Sequence, residues 1–243
     1  SRLAGKHDCG AVLDFERHFG PGGAGDAEGA VMSEGRRITV ATYQDERGAS
    51  AFVAKELPYN ETRSKSVYQA LNGVDIRGKR VLDVGCGFGR DVAYFASKGA
   101  DAYGVDVSQP LLDEAVARYG MQGHFAALDA LHDNEIPFGG GFDVIWLCQF
   151  LVHVPRADMP LFVEKLAGWM KPKGWMVINT KLGSGEKLNY HLGEDLPRLM
   201  VFYTIEEVME YLRPLGFVED WREDVQPLPG GDLRFGLRVR LVA

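Results

Sequence analysis

The sequence predicts an α/β protein built on a doubly wound, mostly parallel sheet. Three observations carry this. From Arg80 onward, short apolar runs alternate with helical segments of roughly 10–15 residues. The first run passes into a glycine-rich turn and then a helix, the entry expected of a ligand-binding βαβ array. The last two strand-like runs follow one another without a helix, which makes one of them antiparallel at or near a sheet edge.

The elements follow in order. Ala11 to Phe19 has the pattern of a short amphipathic helix, and Gly20-Pro21-Gly22-Gly23-Ala24-Gly25 is a run of breakers. Residues 1–40 are therefore expected to be a flexible, Gly-rich extension. Met32 opens a run that resembles an ordinary start, so the residues before it are either a native extension or a start-site artefact. Residues 41–243 are expected to form a single domain, with 41–75 as an N-terminal helical cap. Within the cap, helices are expected from Gln44 to Leu57 and from Asn60, an N-cap, to Leu71, with Gly73 just beyond.

Arg80 to Val84 is a buried strand, and Arg90 to Lys98 is a helix that stops at Gly99. Ala102 to Val107 is a strand, followed by a helix capped by Ser108 with Pro110 in its first turn. His124 to Leu128 and Phe142 to Leu147 are strands. Met159 to Met170 is a helix ended by Lys171-Pro172-Lys173-Gly174, and Trp175 to Thr180 is the next strand. Thr204 with Glu207 is a capping box for a helix to Leu212. Phe217 to Asp224 and Leu233 to Val242 are the late strands, joined by Pro227-Leu228-Pro229-Gly230-Gly231.

Composition narrows the function. In 243 residues, 27 Lys and Arg against 34 Asp and Glu leave a net charge of −7. That disfavours bulk binding to nucleic acid or an anionic membrane, which needs a basic face. No apolar run approaches the ~18 residues of a membrane span, so no stable membrane insertion is expected. Charges interrupt any apolar stretch near the start, against a signal peptide. Cys9, Cys86 and Cys148 are odd in number and widely spaced, which fits a reducing cytoplasm. They make no metal-ligand pattern with the six histidines, so no metal is expected. The oligomeric state is open.

The glycine turn reads Asp83-Val84-Gly85-Cys86-Gly87-Phe88-Gly89-Arg90. Such a turn lets a ligand approach the backbone and aims helix N-terminal N–H groups at it. A dinucleotide fingerprint wants its third glycine at 90, where Arg90 stands, and Asp83 would repel a pyrophosphate. Asp106 ends the second strand, 21 residues beyond Gly85, where a ribose-binding acid is expected. These features favour a nucleoside with a cationic group and no diphosphate. S-adenosyl-L-methionine, with S-adenosyl-L-homocysteine as its product, meets that description.

Over residues 59 to 221 the sequence resembles the class I S-adenosylmethionine-dependent methyltransferases, of the methyltransferase-11/25 type that includes quinone-biosynthesis and natural-product enzymes. Asp83 to Gly89 matches the D/E-x-G-x-G-x-G loop, and Gly104-Val105-Asp106-Val107-Ser108 the ribose-binding strand end. Ala127-Leu128-Asp129-Ala130 matches the third strand end and Phe142-Asp143-Val144-Ile145-Trp146 the fourth strand. Lys171-Pro172-Lys173-Gly174 matches the turn before the fifth strand, with Lys173 in place of a glycine.

The resemblance implies a Rossmann-like sheet of seven strands in the order 3-2-1-4-5-7-6, with helices on both faces. It implies that Asp83, Gly85, Cys86, Gly87 and Gly89 enclose the methionine part of the cofactor. Asp106 would bind the ribose, Val107 would flank the adenine, and Asp129, Ala130 and Leu131 would meet its edge. Cys148 and Gln149 would face the cofactor from the fourth strand, with Tyr59 and Arg63 covering it from the N-terminal side.

Methyl transfer is an in-line displacement at a sulfonium carbon, so the protein mainly aligns acceptor and methyl. An acidic acceptor proton needs a base, and His153, after the fourth strand, is the leading candidate. Tyr59 is a second catalytic candidate, and Tyr190 and His191 are weaker ones. Residues 181–203 exceed the usual αβ connection and are expected to be an insertion or lid. Tyr43 is a further lid candidate, while Trp146, Trp169 and Trp175 are expected in the core. The expected function is methylation of an O, N or C atom of a small molecule. The alternative is a protein that binds the cofactor for cyclisation, rearrangement or a non-catalytic partner role.

Overall fold

The structure is a computed structural model, and it describes residues 32–59, 67–227 and 232–242. The helix expected at Ala11 to Phe19, the glycine run at 20–25, the N-cap at Asn60 and the joint at 228–231 lie outside the described residues, as does Arg63. Ser33 to Ala243 form one compact unit. The first helix of that unit therefore begins ahead of the domain start expected at residue 41.

The described strands are β1 (Arg80–Val84), β2 (Asp101–Asp106), β3 (Phe125–Ala127), β4 (Phe142–Cys148), β5 (Met170–Leu182), β6 (Glu186–Asn189), β7 (Arg198–Val201), β8 (Phe217–Pro227) and β9 (Leu233–Leu241). The α-helices are α1 (Glu34–Gln44), α2 (Glu46–Glu56), α3 (Arg90–Ser97), α4 (Gln109–Tyr119), α5 (Met159–Trp169) and α6 (Ile205–Leu212). The main sheet runs β3-β2-β1-β4-β5-β9-β8. β1 to β5 pair in parallel, whereas β9 is antiparallel to both neighbours. β6 and β7 form a separate antiparallel pair, so the main sheet alone reproduces the expected order 3-2-1-4-5-7-6.

Strand alternation divides the core. Val81, Val144, Trp146 and Val177 pack with Val92 and Phe95 of α3 in one cluster. Leu82, Val84, Ile145, Leu147, Met176 and Ile178 pack with Phe162 and Leu166 of α5 and Val208 and Leu212 of α6 in another. Side chains at successive strand positions leave opposite faces, so a sheet covered on both sides needs continuous apolar runs. Trp146 and Trp169 are buried in these clusters, as expected, and Trp175 is partly buried against the first.

The N-terminal helices depart from expectation. Instead of a helix opening at Gln44, Asp45 breaks the chain between two helices and caps the second, accepting from Arg47 N and Gly48 N. A carboxylate that satisfies two free N–H groups favours a new helix start over continuation. The buried side of α1 is Arg36, Thr39, Thr42 and Tyr43. A polar buried face gives no apolar periodicity, which is why α1 was missed. After Tyr59 the expected helix is described only at its end, as a 3-10 turn at Tyr68–Leu71.

Candidate active site

The site is built at the C-terminal ends of β1, β2 and β4, where open α/β sheets bind ligands. Gly85, Gly87 and Gly89 all take positive φ, at 74°, 54° and 78°. The N–H groups of Gly85 and Cys86 both donate to the Val105 carbonyl, at 2.8 and 3.0 Å, folding the loop across the end of β2. At two of these positions the glycine is also required for space. A Cβ on Gly85 would lie 2.3 Å from the Phe150 ring, and one on Gly89 would lie 2.7 Å from Phe125.

Asp106 ties the two strand ends together. Gly87 N donates to its Oδ2 at 2.8 Å and Ser108 N to its Oδ1 at 2.9 Å. Burial raises its pKa, against the lowering effect of the Ser108 and Gly87 N–H groups. Val107 follows it and packs partly buried beside Leu111 and Tyr43. The Cys86 side chain turns into the core beside Gly104, where an added Cβ would meet its Sγ at 2.7 Å. Burial pushes the Cys86 thiol well up, so it stays protonated.

Asp83 is buried at 3% exposure, and burial and the neighbouring Asp91 push its carboxyl well up. Asp91 was not singled out in the sequence. Burial opposes its ionisation, but Arg90, Tyr68 and Trp146 outweigh that and hold it down. Tyr68 Oη donates at 2.6 Å and Trp146 Nε1 and Arg90 Nε at 2.9 Å each. The negative charge of this pair is therefore held on Asp91, one residue inside α3.

Aromatic side chains cover the loop. Phe52 of α2 lies over Gly87 and packs edge-on against both Phe88 and Tyr43. Tyr43 in turn meets the His153 ring edge-on at 5.4 Å. The backbone holds this cover down: Ser108 Oγ donates to the Tyr43 carbonyl, and Gln44 Nε2 to that of Val107.

His153 is enclosed. Its Nδ1 lies 2.8 Å from the Leu199 carbonyl and its Nε2 3.2 Å from Tyr43 Oη. A carbonyl only accepts, so Nδ1 carries the hydrogen and Nε2 accepts from the tyrosine. Arg198 Nη1 donates to the same Tyr43 oxygen at 2.5 Å. Burial, and next the charge of Arg198, lower the His153 pKa to about 3. The imidazole is neutral at physiological pH, with its basic nitrogen on Tyr43.

The remaining expected residues divide. Asp129, after β3, is engaged by Arg36 of α1 and accepts from Leu131 N at 3.0 Å. Ala130 is buried and Leu131 half-buried beside it. Cys148 ends β4, half-buried, and Gln149 takes φ 59° while its side chain donates to Asn179 Oδ1 at 3.0 Å. Gln149 is thus turned to β5. Tyr190 and His191 are exposed in the segment between β6 and β7 and do not meet His153. Tyr59 closes a short 3-10 turn, Leu57–Tyr59, and its side chain lies outside the described residues, as does Arg63. Sequence reasoning missed Arg36, Asp91 and Arg198. The spacing of Arg36, Thr39 and Tyr43 at i, i+3 and i+7 was the available sign of a shared face.

Comparison with known proteins agrees with this layout. Residues 81–174 match a family described as a methyltransferase domain. Methyltransferase GfsG of Streptomyces halstedii is 32% identical over 129 residues, covering 50% of this chain and 45% of that one. A ubiquinone biosynthesis O-methyltransferase of Alkalilimnicola ehrlichii is 30% identical over 174 residues, covering 69% and 62%. The matched segments thus span between about half and three-fifths of these relatives. Among solved structures, a DhpI complex with S-adenosylhomocysteine superposes with a TM-score of 0.66 at 22% identity, covering 85% of this chain and 98% of that one. A Burkholderia thailandensis 1,6-didemethyltoxoflavin-N1-methyltransferase superposes at 0.65 with 21% identity, covering 89% and 94%. The fold is that of the Rossmann-like methyltransferases. Over residues 81–174 the chain is similar to methyltransferase domains, and its fold is the one that S-adenosylmethionine-dependent methyltransferases share.

Proposed function

We propose that this protein binds S-adenosylmethionine over the Gly85–Gly89 loop and transfers its methyl group to an O, N or C atom of a small molecule. The observation that carries the reading is the three-glycine loop tied by Gly87 N to Asp106 on the neighbouring strand end. The residues suit the cofactor. The loop's three glycines leave backbone open to a ligand, and the Asp106 carboxylate, which accepts from the Gly87 and Ser108 N–H groups, retains acceptor capacity for ribose hydroxyls. Val107, Ala130 and Leu131 offer apolar surface for an adenine, and Asp129 an acceptor at its edge. When bound, the cofactor supplies a methyl group already activated on a sulfonium.

The chain's own residues then have three tasks. Gly85, Gly87 and Gly89 admit the ligand close to the backbone. Phe52 and Tyr43 exclude water from above. His153, neutral and fixed by Leu199, offers Nε2 as a hydrogen-bond acceptor once Tyr43 gives way; burial and the Arg198 charge, which hold its pKa at about 3, make it a weak base that orients the acceptor's proton-bearing atom. The 181–203 segment, with β6 and β7, forms the acceptor-side lid, and the name of the ubiquinone biosynthesis relative supports a biosynthetic small-molecule acceptor.

Calorimetric titration with S-adenosylmethionine, S-adenosylhomocysteine and NAD tests the reading. Micromolar binding of both adenosyl ligands and none of NAD is expected, and failure of both in folded protein overturns it. His153→Ala is expected to lower turnover with cofactor affinity nearly intact; full activity at neutral pH would remove the base role. Cofactor binding without turnover on any screened acceptor would favour a non-transfer role.

A further inference from the structure

Four cationic or basic side chains converge on the acceptor side of the loop. Arg36, Arg198 and Lys181 all act electrostatically on His153, and Lys55, Arg198 and Lys181 on His191. Arg36 and Lys181 have carboxylate partners within the cluster. Arg36 lies against Asp129, and Lys181 Nζ is 2.5 Å from Asp232. Arg198 is different. It is half-buried on β7, one terminal nitrogen donates to Tyr43 Oη, and its plane lies 5.9 Å from the Tyr43 ring centroid. Among the described residues it has no carboxylate within ion-pair distance, and its Nε is fully buried with no hydrogen-bond partner.

A buried guanidinium nitrogen without an acceptor is costly, and a half-buried positive charge without a counter-ion more so. Such an arrangement persists where something outside the chain completes it. A guanidinium presents a planar fork of donors, matched to an oxyanion with two or three oxygens on one centre. The position is also specific: Arg198 reaches the same Tyr43 oxygen that covers His153 Nε2, and Tyr43 connects through Phe52 to Gly87.

We infer that the methyl acceptor is a small molecule carrying an oxyanion, a carboxylate or a phosphoryl group, which Arg198 holds while the acceptor's proton-bearing atom replaces Tyr43 Oη at His153 Nε2. Arg198 is thus the specificity-determining residue and Tyr43 the group that the acceptor displaces. This rests on the methyl-transfer reading above and names the substrate class it takes.

The test uses the full chain loaded with S-adenosylhomocysteine, whose own binding is measured first; failure at that step overturns the methyl-transfer reading itself. The loaded protein is titrated with inorganic phosphate, 4-hydroxybenzoate and the neutral analogue 4-hydroxybenzamide. Both anions are expected to bind at millimolar concentration or below, with the amide at least tenfold weaker than the acid. Arg198→Met is expected to abolish that preference without weakening S-adenosylhomocysteine binding, and Arg198→Lys to restore part of it. Equal binding of acid and amide, a preference surviving in Arg198→Met, or binding of neither anion would overturn the inference. Should Arg198→Met fold poorly, the acid-to-amide ratio in the native chain and in Arg198→Lys decides alone.

Discussion

At residue scale, backbone conformation and the hydrogen-bond partners of single side chains decide the behaviour of the site. Lys173 stands where the resembled turn has a glycine, and it takes φ 65°. A left-handed conformation costs a non-glycine residue roughly 1–2 kcal/mol, partly offset by the entropy that a glycine loses on folding. Lys173→Gly is therefore expected to melt no lower than the native protein; a lower midpoint in urea would show that the lysine earns its place by contacts. Gly104 behaves oppositely. A Cβ there would press on Cys86 Sγ at 2.7 Å and Val92 at 2.8 Å. Overpacking of this kind costs about 1–3 kcal/mol. Gly104→Ala is expected to lower the urea midpoint by that order and to weaken S-adenosylhomocysteine binding, because Cys86 is part of the loop. Asp106→Ala, which frees Gly87 N, is expected to weaken cofactor binding at least tenfold, about 1.4 kcal/mol; unchanged affinity in calorimetry would sink the ribose assignment.

His153 gives a pH prediction at the same scale. Its pKa falls from the ordinary 6.5 to about 3 in the folded chain, through burial and then Arg198. The unfolded chain therefore binds the proton more readily, so the stability His153 contributes is full above about pH 6.5 and is lost as pH falls toward 3. Urea midpoints measured down this window are expected to fall, and to fall less steeply in His153→Gln. Parallel slopes in the two proteins would show that the imidazole is not buried neutral.

At the scale of elements, α1 and β7 matter most, since together they hold Tyr43 and Arg198. Leu199 N donates to Thr39 Oγ1 at 2.7 Å, and Thr39 donates onward to the Gly35 carbonyl at 2.9 Å. Thr42 also donates to the Pro197 carbonyl at 2.5 Å. A helix thus joins a strand pair edge through side-chain hydroxyls. Thr39→Val keeps the shape but leaves the Leu199 N–H buried without an acceptor, a loss of about 1–3 kcal/mol. Hydrogen exchange is expected to rise in α1 and β7 together and to leave β1 and β4 unchanged. Exchange confined to one of the two would argue that they do not open as a unit. The same polar face explains why α1 was not legible: helix recognition from sequence relies on apolar periodicity, and Arg36, Thr39, Thr42 and Tyr43 supply little of it. By contrast α4, with Ser108 as cap and Gly120 at its end, and α6, with both halves of the Thr204–Glu207 box, stand where the sequence put them.

At the scale of the whole molecule, the proposed cofactor site joins elements from both halves of the sheet, and no described helix is long and apolar enough to cross a membrane. A ligand bound only by the folded state stabilises it by roughly 2.7 kcal/mol at a hundred times its dissociation constant. For a domain of this size that corresponds to a rise in melting temperature of about 5–10 °C. Saturating S-adenosylhomocysteine is expected to produce it, with NAD giving none.

The turn from β1 into α3 and the place of Asp106 were determined by the sequence alone. Both are written in contiguous residues, where apolar runs, glycines at fixed spacing and caps act locally, whereas the order of the central strands came from the family resemblance that those residues carry. That one of the last two strands is antiparallel was also legible, because two strands without an intervening helix leave few other pairings; that it is β9 was not. The separate β6–β7 pair was not, since neither strand carries a long apolar run. The acceptor side was decided only by tertiary structure. His153 meets a tyrosine 110 residues before it, and that tyrosine meets an arginine 155 residues after it. No local pattern records a contact between segments so far apart. The same holds for charge: Arg36 and Arg198 read alike along the chain, and only folding gives one a carboxylate and leaves the other without one among the described residues.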